Sequence, residues 1–241
     1  MDSSSEMKSF LSLLVFFFGY SSYFFISHSK TIQKRLCLES EDGRRTFSWI
    51  AFQRFTGVVF LGFFPGILVW AFPFWRFSEL GLGLNLSKIG LLWTSGIGIC
   101  VLFVSYFSSR KPENFKSYPQ VRENPWTMKT VLFNTGSWLV YLVAYEFLFR
   151  GLLLFTFSSA LGLWPAIVIT TCLYTLVHIP KGLKEAIGAL PFGVVLGLIT
   201  IEADSIWPAV FIHAVLALSY DHFSLRANPE MHYDFFKKQS Q

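Results

Sequence analysis

The chain has 241 residues, of which 53% are hydrophobic, 19% aromatic and 15% charged. Its mean hydropathy of +0.47 lies outside the range of soluble globular domains, where about a quarter of residues are charged, so the chain reads as an integral membrane protein with no room for a separate soluble domain. The excess of 20 basic over 15 acidic residues, net +5, fits basic loops on one membrane face and argues against a nucleic-acid partner.

The chain opens MDSSSEMK and turns apolar from about Phe10 to Ile26. It lacks a basic leader region and a small-residue cleavage site, so residues 10–27 are read as a retained first membrane helix. Further apolar runs at 56–75, 87–108, 131–157, 163–179, 186–201 and 206–222 predict an all-α polytopic bundle of seven transmembrane helices. The last three runs fall short of the roughly 20 residues a full crossing needs. Pro191 interrupts one of them, so these segments are expected to be partly shielded by protein. The fourth run is long enough to tilt or to extend past the interface. Three regions follow: residues 1–130 with the first helices and basic loops, a core at 131–222, and a short tail at 223–241.

The basic residues are distributed in phase with seven crossings. Lys30, Lys34, Arg35, Arg44, Arg45 and Arg54 fall in one loop, and Arg110, Lys111, Lys116, Arg122 and Lys129 in another. Lys181, Lys184, Arg226, Lys237 and Lys238 fall on the same side, while the loop with Glu202 and Asp204 on the other side is acidic. The positive-inside rule then puts the N-terminus outside and the C-terminus in the cytosol, in the plasma membrane if the source is prokaryotic. The basic loop residues are expected to meet anionic lipid headgroups of the bilayer.

Cys37, Cys100 and Cys172 form no CxxC or paired spacing and are expected to be small buried hydrophobes and one free loop thiol. Gly193 and Gly197 form a GxxxG step, read as a site of close helix packing.

Four polar side chains stand at membrane depth. Glu146 and Arg150 are four residues apart, about 40° apart on one helix face. His178 and His213 lie in later apolar runs. Ionisable groups at such depth usually face a protein interior or a wet cavity. Taken singly, the pair could be an ion pair that satisfies itself, and each histidine an interhelical hydrogen bond. Taken together, a carboxylate and two imidazoles on three successive helices can converge on one cavity, polarise a water and stabilise an oxyanion. The same three could also ligate zinc with an open position. No HExxH, P-loop or GxGxxG occurs, and Ser158, Ser159 and Ser219 have no serine-protease elbow around them.

The motifs around these residues resemble the CPBP intramembrane proteases, which include type II CAAX prenyl proteases and bacteriocin-processing or immunity-associated (Abi) proteins. The family's EExxxR reads here Tyr145, Glu146, Phe147, Leu148, Phe149, Arg150, followed by Gly151. Its FxxxH reads Tyr174 to His178, in LYTLVHIP. A glycine-rich helix then leads to the third motif, here SIWPAVFIHA ending on His213 and Ala214. The resemblance covers roughly Leu139 to Asp221. It departs at two places: the first glutamate is Tyr145, and the Asn or Asp expected four residues after His213 is Ala217.

The resemblance implies a CAAX-protease-like core in 131–222 that hydrolyses a peptide bond of a membrane-associated protein or peptide by activated water, with no cofactor and no metal. It implies that Glu146 with His178 activates water, His213 holds the oxyanion and Arg150 orients Glu146, with Tyr145 and Tyr174 beside them. A phenol at 145 is a poor base at neutral pH. Loss of one oxyanion donor costs about 10²–10³ in rate, so an alternative is a catalytically inactive relative acting as a membrane scaffold or a peptide- or lipid-binding protein. A transporter is disfavoured, because no paired half-repeats are visible.

Overall fold

The computed structural model describes residues 3–36, 47–84 and 87–235. Cys37, Arg44, Arg45, Lys237 and Lys238 lie outside the described residues. Apolar runs of this length have no water to hydrogen-bond in a bilayer, so each satisfies its backbone internally as a helix. The helices are α1 (Ser3–Ser27), α2 (Lys30–Arg35), α3 (Phe47–Ala71), α4 (Lys88–Ser108), α5 (Met128–Leu161), α6 (Leu163–Leu176), α7 (Leu183–Ala203) and α8 (Trp207–Ala227). Ser87 and Thr127 cap α4 and α5, accepting from the amides of Gly90 and Thr130 and so satisfying donors that a helix start leaves open.

Among the described residues six segments are long and apolar enough to cross a membrane: α1, α3, α4, α5, α6 with its following turn to Lys181, and α7. The chain is an integral multi-pass membrane protein built as an all-α bundle. The seventh long helix, α8, has the 21 residues of α7, about 32 Å at 1.5 Å per residue. It misses the apolar criterion because it carries His213, Asp221 and His222; Asp221 is fully buried, so this polarity serves the protein interior. Neither α7 nor α8 is short, as the sequence had suggested, and Pro191 lies inside a continuous α7. Pro191 is the ninth residue of α7, and packed neighbours let a membrane helix tolerate the amide it lacks.

Contacts between loops sort the helix ends into two sets. At one end Lys8 meets Glu79 at 3.6 Å, the Ile206 amide donates to the Gly81 carbonyl at 2.9 Å, and the Trp207 indole donates to the Leu82 carbonyl at 3.1 Å. At the other end the Gln120 amide donates to Asp221 at 3.0 Å, Ser224 to the Ser109 carbonyl at 3.1 Å, and Tyr118 to Glu185 at 3.0 Å. The seven long helices therefore alternate in direction. Lys111, Lys116, Arg122, Lys129, Lys181, Lys184 and Arg226 gather at the second, basic end, while Glu202 and Asp204 follow the other, where α7 turns into α8. Arg54 differs from its reading as a loop charge: it sits within α3 and is only 5% exposed.

Helix α5 is the axis of the bundle. Every residue from Ala144 to Leu154 is buried, and α1, α3, α6 and α8 pack around it. Glycines permit the closest approaches. A Cβ on Gly19 of α1 would stand 2.7 Å from the Phe60 carbonyl oxygen of α3. On α7, a Cβ on Gly193 would meet Thr171 at 3.1 Å, and one on Gly197 would meet Ile167 at 2.7 Å. The GxxxG step thus seats α7 against α6. Phe17, Phe18, Trp70, Leu92 and Phe103 are exposed on the outside, as a lipid-facing surface requires. Cys100 and Cys172 are unbridged, and both are exposed on the outside of their helices where the sequence had suggested buried side chains.

Candidate active site

The site is assembled around a break in helical pitch. α5 keeps ordinary α geometry through Glu146, then winds as a π-helix over Phe147–Leu154. Such π-turns shift the face a helix presents and recur at functional sites. Here the turn carries Arg150. Its Nε donates to Glu146 Oε2 at 3.2 Å, and both side chains are wholly buried. The other carboxylate oxygen, Oε1, lies 2.6 Å from His213 Nδ1 of α8. Glu146 thus spends one oxygen on each partner. The guanidinium stands over the Tyr174 ring, 5.0 Å from its centroid, and its Nη1 and Nη2 have no hydrogen-bond partner among the described residues.

His178 sits just past the end of α6, at the head of the short turn Ile179–Lys181. Its Nδ1 lies 2.7 Å from the Tyr174 carbonyl oxygen. A carbonyl can only accept, so His178 carries its hydrogen on Nδ1 and keeps Nε2 as an acceptor. The carboxylate of Glu146, already accepting from Arg150, orients His213 in the same way. In its neutral form each imidazole then presents an Nε2 lone pair. The imidazole that meets the Glu146 carboxylate is thus that of His213.

Tyr145 lies between the two histidines. Its ring centroid is 5.7 Å from His213 and 6.4 Å from His178, nearly perpendicular to both. It is 5.9 Å from Tyr174. The Tyr145 hydroxyl is buried with no hydrogen-bond partner among the described residues. All six residues singled out in the sequence, Tyr145, Glu146, Arg150, Tyr174, His178 and His213, thus form one cluster. Ala217, one turn beyond His213 on α8, is buried and offers no polar atom. Among the described residues no three His, Cys, Asp or Glu side chains gather as a metal site requires.

A cavity of about 300 Å³ reaches from Tyr118, Lys181 and Glu185 at the basic end down to Tyr145. Its wall holds a second buried polar centre, which the sequence reading missed. Arg54 donates to the Asn134 carbonyl at 3.1 Å, to Ser137 at 2.6 Å and to Gln120 at 3.2 Å, with its guanidinium 4.2 Å above the Trp138 ring. Asp221 accepts from Trp138 at 2.9 Å, Asn134 at 3.1 Å and the Gln120 amide. Asn134 and Trp138 stand four apart in an apolar run, a same-face polar pair that could have flagged the network.

Residues 127–219 match the family described as type II CAAX prenyl endopeptidase Rce1-like. Over these residues, less than half of the chain, the sequence is similar to that family. No curated protein and no solved structure matches the chain. The Rce1-like segment contains α5, α6, α7 and the first half of α8, hence every member of the Glu146 cluster. The helices outside it contribute differently: α1 and α3 supply Tyr20, Tyr23 and Arg54 to the cavity wall.

Proposed function

We propose that the chain is an intramembrane endopeptidase of the CAAX-protease type, hydrolysing a peptide bond of a membrane-associated substrate by activated water. The observation that carries this reading is the contact of 2.6 Å between the buried Glu146 carboxylate and His213. A carboxylate behind an imidazole fixes its tautomer and stabilises the imidazolium formed when Nε2 takes a proton, the arrangement general-base catalysis needs. His213 Nε2 takes the proton of the attacking water, and Glu146 acts through it. Arg150 anchors the carboxylate. His178, presenting a second acceptor, holds the water's other hydrogen. Peptide enters from the basic end, where the cavity begins, and the positive-inside rule makes that end cytosolic with the N-terminus outside.

The test uses purified protein in vesicles with three peptides: a prenylated one ending in a CAAX sequence, the same peptide without its lipid, and a leader-type peptide. Cleavage of at least one is expected, with a fall of about 10²–10⁴ in His213→Ala and in His178→Ala. Undiminished cleavage in both variants would overturn the assignment. Binding without cleavage by the unaltered protein would establish a silent relative that holds peptide.

A further inference from the structure

We propose that the Tyr145 hydroxyl is the hydrogen-bond donor that holds the oxygen of the scissile carbonyl as it takes on negative charge. This rests on the proteolytic reading above and supplies what that reading lacks. Hydrolysis needs an acceptor for the water's proton and a donor for the developing oxyanion. A neutral histidine that serves as the base offers only an acceptor, and each has committed its Nδ1 hydrogen, His178 to the Tyr174 carbonyl and His213 to Glu146. Ala217 provides nothing.

The donors left over in the cluster are few. Arg150 has Nη1 and Nη2 without partners, but its side chain is wholly enclosed and it does not border the cavity. Tyr145 does border it. Of the clustered side chains, Tyr145 is the one that a molecule in the cavity meets. Its hydroxyl is buried and without an acceptor among the described residues, an arrangement that natural structures avoid unless the group has a use. Its ring packs edge-on against both imidazoles, with centroids 5.7 Å from His213 and 6.4 Å from His178. A phenol is a poor base but a good donor, which suits it to the opposite role from the glutamate it replaces.

The step balances without a co-reactant. The water oxygen bonds to the carbonyl carbon while one water proton passes to His213 Nε2. The carbonyl oxygen becomes an oxyanion accepting from Tyr145. On collapse the C–N bond breaks, and the leaving nitrogen takes the proton from His213, giving an acid and an amine.

Tyr145→Phe removes the hydroxyl and keeps the ring. Cleavage in vesicles is expected to fall about 10²–10³ in kcat, with KM for the peptide changed by less than about threefold. Because the lost hydroxyl has no partner, the Tm should stay the same or rise. Binding of a phosphinic peptide, whose tetrahedral oxygens mimic the oxyanion, should weaken by a factor similar to the kcat loss while binding of the uncleaved peptide does not. A purely structural role for the ring would move neither kcat nor the phosphinic peptide. Unchanged kcat in Tyr145→Phe, or a change confined to KM, overturns the proposal while the proteolytic reading stands on His213→Ala. Absence of cleavage by the unaltered protein overturns both.

Discussion

Glu146→Gln gives a direct view of what holds the site together. Arg150 is a wholly buried cation, and Glu146 is the anion that accepts from it. The amide removes the charge and turns an NH₂ or a weaker carbonyl toward Arg150, whose Nη1 and Nη2 already lack partners. Breaking a buried pair by removing one member typically costs about 3–5 kcal/mol, because the other charge is left uncompensated. At about 2–4 °C per kcal/mol for a chain of this size, the Tm in detergent should fall by roughly 6–20 °C. Arg150→Met alone should cost a similar amount. The double variant should recover most of the loss, since replacing both members of a buried pair by neutral groups is often close to neutral. A double-mutant cycle with coupling below about 1 kcal/mol, or two losses that simply add, would refute the view that Arg150 and Glu146 neutralise each other.

Further consequences concern the second polar centre, the packing and the surface. Asp221→Leu leaves the Trp138 indole, the Asn134 amide and the Gln120 N–H without their acceptor, at about 1–3 kcal/mol for each group left unsatisfied; a Tm within 2 °C of the unaltered protein would argue against the network. Gly19→Val drives a side chain into the Phe60 carbonyl and should destabilise by about 1–3 kcal/mol. Gly66→Ala, with nothing within 4 Å of the new Cβ, should be neutral or gain up to about 1 kcal/mol. At the surface, Lys184 stands 2.5 Å from Glu113 and holds the Glu113 carboxyl below the usual carboxylate range through its hydrogen bond and charge. Any stability from this pair is present above the ordinary carboxylate pKa and is lost as pH falls through the lowered value. Lys184→Ala should return the Glu113 titration toward its usual range with no measurable change in Tm. Single cysteines placed at Ser117 and at Gly83 should label from opposite sides of sealed vesicles; labelling of both from one side contradicts the alternation of the helices.

The sequence carried the class of the protein because composition and run length respond to the bilayer directly. It also carried the cluster, because Glu146, Arg150, His178 and His213 are ionisable side chains inside runs that are otherwise mostly apolar. Helix lengths were less legible. Polar residues such as Lys184 and Glu185 lie in the first turn of α7, and Ser224 to Arg226 extend α8, so the apolar runs end short of the helices. Arg54 was taken for a loop charge for the same reason. Pairing within the cluster was not legible at all, because it depends on the π-turn after Glu146, which re-aims Arg150, and on the approach of α8 to α5. Tyr145 was visible as a departure from the motif. Its contact with the cavity and its lack of an acceptor became evident only from how α6 and α8 pack around it.

The most direct test of the account is hydrolysis in ¹⁸O-labelled water by protein in vesicles, followed by mass spectrometry of the peptide products. The account predicts one labelled oxygen in the new carboxyl group with the unaltered protein, and loss of that product by about 10² or more in His213→Ala. Equal product from His213→Ala, or no labelled product from the unaltered protein with any of the three peptides, would contradict it.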